Sequence, residues 1–542
     1  MTGGQAVIKA LEKEGTSILF GLPGVHVLEI YDALQDSEIR HILVRHEQSA
    51  AFMADAYSRV TGKVGVCLAT TGPGATNTVT AIATAYCDSS PVLLITGQIP
   101  SSLIGKNKGA LHEVDQLSII KPLTKWNKCI RKVTDIPLTI HQAFKSMNIE
   151  RPRPIQLEIP IDILEATDEI DFVSLKDVWE KPSGNAEAIK EAARLLANSR
   201  SPIILAGGGV LRSGASEEII TIADALSAPV ITTIMGKGVI PEDNPLSLGC
   251  LARGGSIEEI LAEADIVLAL GTRFSATSTR NWKVKFPETL IHVDIDETEI
   301  GKNYAVKIGV VGDVKVVPQR MLHQLKKSIR TPRTEWLNRA MDIKRRMKSE
   351  LEFSNRPEIR TVLEIRKILK RDAIVAADVT IPAYWMARIF ETYQPGTFLY
   401  PAGYVAMGFG LPAAIASKIA YPERQVVAFC GDGSFMMTCQ ELATAVENNV
   451  NIPIVIYNNQ GYGVLKYAQK IMFSSRYMGV DLTNPNFIRF AEAFGVKGLK
   501  VDGIDQLKSC LKEALKSDEP TVIETRLPFD PPWGIEHYQR KG

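Results

Sequence analysis

The sequence predicts an α/β protein built from three successive parallel-sheet domains. Three observations predict it. Short apolar, β-branched runs ending in glycine or polar residues recur along the chain. Helical stretches lie between them, as crossovers between parallel strands require. The length, 542 residues, exceeds what one hydrophobic core normally serves.

The start, "MTGGQAVIKALEKEG", has the pattern of an amphipathic helix and not of a signal peptide. The first block, residues 1–170, closes with the apolar strand pattern of "RPIQLEIPIDI". A polar stretch, "EATDEIDFVSLKDVWEKPSGNAEA", leads to a second block at 185–335. Its runs "PIILAGGGV", "APVITTIMGKGVIP", "ADIVLALGTRF" and "TLIHVDIDETEIGK" read as parallel strands with glycine-rich or acidic ends. The basic helical segment "RTEWLNRAMDIKRRMKSELEF" precedes a third block at 355–542. The first and third blocks are of similar length and both read as α/β, although the sequence itself demonstrates no repeat.

In the third block, "RQVVAFC" reads as a buried strand, "GDGS" as a turn, "SFMMTCQELATAVENN" as a helix and "NIPIVIYNN" as a second strand. Asp432 and Asn459 then stand 27 positions apart at the carboxyl ends of two strands, with a helix start between them. Open α/β sheets bind ligands at such ends, and helix starts favour phosphate. A carboxylate and an amide oxygen beside a phosphate suit Mg²⁺ or Ca²⁺. Alone, a GDG turn or an NN pair is ordinary strand punctuation, and the spacing is what makes the pair informative.

In the first block, "IRHILVRHEQSAAFMADAYSRVTG" reads as strand then helix, with Glu47 in the helix's first turn, where the macrodipole favours an acid. "TTGPGATN" follows the apolar run "VGVCLA" and reads on its own as a phosphate-cradling turn.

Composition narrows the partners. Net charge is +1, hydrophobic residues are 45% and charged residues 23%, an ordinary globular composition with no pull toward nucleic acid. No apolar run approaches the roughly 20 residues that span a bilayer. Seven cysteines without a CxxC pair suggest reduced thiols and a cytoplasmic location.

The GDG…NN pair, "HEQSAAFMADAYSRVTG", "FGLPG", "TTGPGATN", "SPVLLITGQIP" and "YPAGYVAMGFGLP" resemble the thiamine diphosphate enzymes over nearly the whole chain. "GVDLTNPNFIRFAEAFG" and "TTIMGKGVIPEDNPLSLG" make it most similar to acetolactate synthase large subunits. The resemblance implies a pyrimidine-binding first domain, a central domain and a diphosphate-binding third domain. It implies that Asp432, Asn459 and the Gly461 carbonyl hold Mg²⁺, with Gly431, Gly433 and Ser434 in the turn at the diphosphate. It implies that Glu47 stabilises the imino tautomer of the aminopyrimidine, with Pro73 and Asn77 near that ring. Met407 would wedge beneath the folded cofactor, and the Val405 carbonyl would meet the aminopyrimidine amine; on the residues alone, Met407 is equally a core residue. "AGGGV", "MGKG", "GTRF" and "DIDETEIG" in the central domain fit FAD or another adenine nucleotide, and fit an empty α/β domain as well.

The chain also departs from the synthases. His112 stands where they carry Gln, Ile161 where they carry Lys, Thr277 where they carry Arg and Ala468 where they carry Trp, and "TIPAYW" stands for "QHQMW". Twin histidines of the pyruvate decarboxylase kind are absent, and Thr70 occupies the place of the benzoylformate decarboxylase histidine. An imidazole in the loop at the reacting carbon gives and takes protons near neutral pH, so His112 is expected to be catalytic. The expected reaction is 2-oxo acid decarboxylation with carboligation. The alternatives are a 2-hydroxyacyl-CoA or oxalyl-CoA lyase, a simple decarboxylase, or a flavin oxidoreductase of the pyruvate oxidase kind. A homodimer or homotetramer with sites shared between subunits is implied.

Overall fold

A computed structural model describes residues 1–170, 172, 179–325 and 333–533. Residues 171 and 173–178 of the first polar linker, 326–332 at the end of the second block, and 534–542 lie outside the described residues.

Each expected block carries one six-stranded, all-parallel sheet. In the first the strands lie in the order Arg40–Leu43, Ile18–Gly21, Gly65–Ala69, Val92–Gln98, Ile155–Pro160, Trp126–Cys129. In the third the order is Phe398–Leu399, Ile374–Ala377, Val426–Gly431, Pro453–Tyr457, Thr521–Thr525, Lys497–Val501. Numbered from its own first strand, each sheet reads 2-1-3-4-6-5. The repeat that the sequence does not demonstrate is therefore present in the topology.

The central sheet is different. Its order is Ser247–Cys250, Val230–Thr232, Pro202–Ala206, Ile266–Leu270, Thr289–Asp294, Ile308–Val311, or 3-2-1-4-5-6. That is the order of dinucleotide-binding sheets.

The inner strands are buried along their whole length, as in Gly65–Ala69, Val92–Gln98 and Val426–Gly431. This is why they read as continuous apolar runs rather than alternating ones. The first and third sheets share one core. Phe52 of the helix Glu47–Thr61 meets Phe409, at the start of the helix Gly410–Ala420, edge to face with ring centroids 5.6 Å apart. The amino-terminal segment forms the helix Gly3–Lys13, closed by a capping box between Thr2 and Gln5.

One expected helix is divided. The segment after GDG forms two short helices, Asp432–Phe435 and Glu441–Glu447, with turns between them. The Thr438 hydroxyl donates to the Gly408 carbonyl (3.1 Å), and Met436 and Met437 are exposed rather than in a helix's buried stripe. A contact to a distant loop outweighs local helical preference here.

Candidate active site

In each sheet the strand order reverses beside the first strand, where a crevice is expected at the strands' carboxyl ends. In the third sheet the point lies between Ile374–Ala377 and Val426–Gly431. An open cavity of about 860 Å³ is lined there by Val405, Met407, Gly431, Asp432, Gly433, Ser434, Asn459 and Gly461, together with Tyr462 and Leu465. Among them Gly431, Asp432, Gly433, Ser434, Asn459 and Gly461 are the residues expected to hold a diphosphate and a metal, and Val405 and Met407 those expected at the cofactor's bend.

Oxygen atoms converge in this cavity. The Asn459 amide end lies 3.3 Å from Asp432 Oδ1 and 2.7 Å from the Gly461 carbonyl. Turned one way, its nitrogen donates to both; turned the other, three oxygens face one another, the hard donor set that Mg²⁺ takes. The far oxygen of Asp432 is already engaged: Gly461 N–H (3.0 Å) and Asn484 Nδ2 (2.7 Å) donate to Oδ2. Burial pushes the Asp432 carboxyl above its usual range, partly offset by the Asn484 hydrogen bond. A buried acid with one oxygen pinned and one facing other oxygens is suited to a cation. Ser434 caps the turn, its Oγ accepting from Gly431 N–H (3.0 Å).

The loop carrying Val405 and Met407 is fixed at both ends. Asp378 accepts from Gly408 N–H (3.1 Å) and Gly410 N–H (2.8 Å). At the other end Gly403 N–H donates to Asp88 (2.7 Å), and Arg59 bridges Asp55, Asp88 and the Tyr400 carbonyl. Between these anchors Val405 holds φ +56°. A β-branched residue rarely adopts this left-handed conformation, and such strain persists where the surroundings impose it. Met407 lines the cavity and is half-buried rather than packed in the core.

The first sheet's reversal lies between Ile18–Gly21 and Gly65–Ala69, and the other expected residues gather around it. His46 caps the helix Glu47–Thr61, its Nδ1 accepting from Gln48 N–H (3.1 Å). Glu47 is buried, and Asn77 Nδ2 donates to its Oε2 (2.9 Å). "TTGPGATN" forms a turn and the five-residue helix Pro73–Asn77. Its glycines leave room for Glu47 and His112. A Cβ on Gly74 would lie 3.3 Å from Glu47 Oε1, and one on Gly72 would lie 2.7 Å from His112 Cβ. Pro73 is exposed. His112 is also exposed and holds φ +66°. None of Glu47, Pro73, Asn77 and His112 lines the cavity of the third sheet, in which every lining residue is Val379 or later.

The central sheet's reversal opens into a cavity of about 1220 Å³ lined by Gly208, Gly209, Gly271, Arg273, Asp294 and Asp313 among others. Burial pushes Asp294 up to about 6. Thr277 lines the same cavity. Arg280, three positions on, pairs with Glu258 instead.

Sequence reasoning missed Asp378, Asn484, His26 and Gln116. The Gln116 carbonyl accepts from Gly72 N–H (3.1 Å) and the Thr71 hydroxyl (3.0 Å), which fixes the turn beside His112. Only Asp378 offered a signal, as an acid just past the apolar run "AIVAA".

The thiamine pyrophosphate enzyme family matches this chain in three parts: the N-terminal TPP binding domain at 1–119, the central domain at 189–325 and the C-terminal TPP binding domain at 378–525. A probable acetolactate synthase large subunit of Methanocaldococcus jannaschii is 41% identical over 98% of this chain and 94% of its own length. One from Methanococcus aeolicus is 39% identical over 97% and 92%. The acetolactate synthase large subunit of Haemophilus influenzae is 36% identical over 96% and 94%. With three matched domains and relatives of this identity along nearly its full length, the chain belongs to the thiamine pyrophosphate enzyme family.

Proposed function

We propose that this chain decarboxylates a 2-oxo acid and joins the remaining fragment to a second carbonyl compound, as an acetolactate synthase does. The observation that carries this is the convergence of Asp432, Asn459 and Gly461 oxygens at one sheet's reversal, matched by Glu47 and Asn77 at the other. Bound thiamine diphosphate would supply the carbanion that attacks the 2-oxo acid and holds the fragment left when CO₂ departs.

The chain's own residues have distinct tasks in this reading. Asp432, Asn459 and Gly461 would hold Mg²⁺, and Gly431, Gly433 and Ser434 would receive the diphosphate. Val405 and Met407 set the cofactor's bend. Glu47 holds a proton at the aminopyrimidine ring, oriented by Asn77, with Pro73 beside that ring. His112 exchanges a proton with the substrate. Glu47 stands outside the Asp432 cavity of its own chain, which supports a homodimer or homotetramer whose sites take one sheet from each of two chains.

The central cavity fits FAD or another adenine nucleotide: the strand order is that of dinucleotide-binding sheets, and the cavity opens at its reversal, lined by Gly208, Gly209 and Asp294. The division into 1–170, 185–335 and 355–542 goes with these three roles. A cytoplasmic enzyme is our reading; no helix among the described residues is long and apolar enough to cross a membrane.

The test is direct. The purified protein, with thiamine diphosphate and Mg²⁺, is given a panel of 2-oxo acids, alone and paired with second carbonyl compounds. Products are identified by mass spectrometry. Release of CO₂ with a new carbon–carbon bond supports the reading, and no turnover of any 2-oxo acid overturns it. The visible absorption spectrum of the released small-molecule fraction reports a flavin.

A further inference from the structure

A second histidine stands beside His112. His26 lies in the short helical turn Val25–Val27, after the strand Ile18–Gly21. Its ring centroid is 5.5 Å from that of His112, with the planes tilted by 40°. His26 is only 6% exposed, and its Nδ1 is buried without a hydrogen-bond partner. A buried polar atom left unpaired is costly and calls for a reason. Thr70 Oγ1, on the neighbouring turn, is unpaired in the same way.

The backbone makes room for this arrangement. A Cβ on Gly97 would lie 2.6 Å from the His26 carbonyl and 2.9 Å from its Cβ. Gly72 does the same for His112, whose left-handed backbone is itself strained. His112 stands against the turn whose Gly74 abuts Glu47, and His26 stands beside His112 on the loop after Ile18–Gly21.

We propose that His26 and His112 form one imidazole pair that holds a single proton: His112 exchanges it with a substrate oxygen, and His26 is a positioning residue that keeps the pair from taking up a second. The proposal rests on the functional reading above. Burial, and then the charge on His112, hold His26 below the usual imidazole range. Of the acids nearby, Glu47 accepts from Asn77 and Asp115 from Ser118 N–H, while Glu113 accepts from Gly109 and Ala110 N–H through Oε2 and keeps a buried Oε1 without a partner. Two imidazolium ions this close, one of them buried, repel strongly, so the second proton is the costly one.

The proton balance closes. As the donor carbon's electron pair forms the new carbon–carbon bond, the acceptor's C=O pair moves onto oxygen, and that oxygen takes the proton of His112. Product release would part the donor carbon from bound thiamine diphosphate, with the electron pair staying on the cofactor. The donor hydroxyl then becomes a carbonyl, and its proton returns to the pair. No oxidant or reductant is needed.

NMR titration of imidazole-labelled, cofactor-free full-length protein tests the pair without turnover. In His112→Gln the His26 midpoint is expected to rise by at least about 0.3 pH unit; an unchanged midpoint overturns the proposal. In the complete enzyme, His26→Phe is expected to keep KM and cofactor affinity within about twofold and to lower kcat about tenfold, with an altered pH profile. Wild-type kcat at every pH in that variant overturns it as well. If no 2-oxo acid is turned over, the functional reading fails, while the His26 titration still decides whether the pair exists.

Discussion

The first and third sheets share one strand order and bear opposite chemistries. At the reversal of the first stand titratable side chains: Glu47 with Asn77, and His112 beside His26. At the reversal of the third stand converging oxygens: those of Asp432, Asn459 and Gly461. The strand order supplies a place to bind, and the loops decide what is done there. In the first sheet, glycines 72 and 74 bring side chains close to the turn. In the third, the strained Val405 and the pinned Asp432 present backbone and carboxylate oxygen.

Substitutions that disable one crevice and spare the other test this division. The largest effect is expected from Asp432→Ala. It removes the only carboxylate of the oxygen set, so Mg²⁺-dependent retention of thiamine diphosphate should weaken by at least about 100-fold; calorimetry with and without Mg²⁺ measures it, and unchanged affinity refutes the metal assignment. Glu47→Gln should do the reverse. Cofactor affinity should hold while exchange of the thiazolium C2 proton slows by about 100-fold, read by NMR in deuterated buffer. Exchange at the wild-type rate would remove Glu47 from its assigned role.

Asn484→Ala sharpens the comparison within the third sheet. Asn484 Nδ2 donates to Asp432 Oδ2 and to Asn458 Oδ1 and so orients the acid from behind; in Asn484→Ala Mg²⁺ affinity should fall by about tenfold, without the collapse expected of Asp432→Ala. Equal losses in the two variants would make Asn484 a ligand in its own right.

The smallest effect concerns Asp378, which burial lifts from 3.8 to about 6. The folded chain binds that proton more tightly than the unfolded chain. The resulting stabilisation is complete below about pH 4 and is lost as pH rises through 6, with a slope of at most about 1.4 kcal/mol per pH unit. Asp378→Asn should flatten this part of the stability profile, followed by denaturation between pH 4 and 7. An identical slope in both proteins would show that Asp378 does not set it.

Much of this arrangement is legible in the sequence, and the reason is local. GDG and NN sit at the ends of buried strands and HEQ follows the edge strand Arg40–Leu43, so the run beside each announces its position. Asp432 and Asn459, 27 residues apart, are joined by a single strand–helix–strand crossover, which period and spacing describe well. The helix expected over Ser434–Asn449 is instead broken, because Thr438 bonds to Gly408, a residue that no local pattern connects to it. His26 is illegible for the same reason. It is 86 positions from His112, and the two meet only because loops from non-adjacent strands converge over one turn. Asn484 reaches Asp432 across 52 positions. Residues that act through such partners carry no signature in their own neighbourhood.

The Asp432 cavity takes no wall from any residue before Val379. If each working site draws its acid from one chain and its metal grip from another, two defective genes can complement each other. A cell making Glu47→Gln and Asp432→Ala chains together assembles mixed pairs in which one site combines both lesions and the other contains neither. Such a cell should grow where either allele alone fails, and a site confined to one chain would give no such rescue.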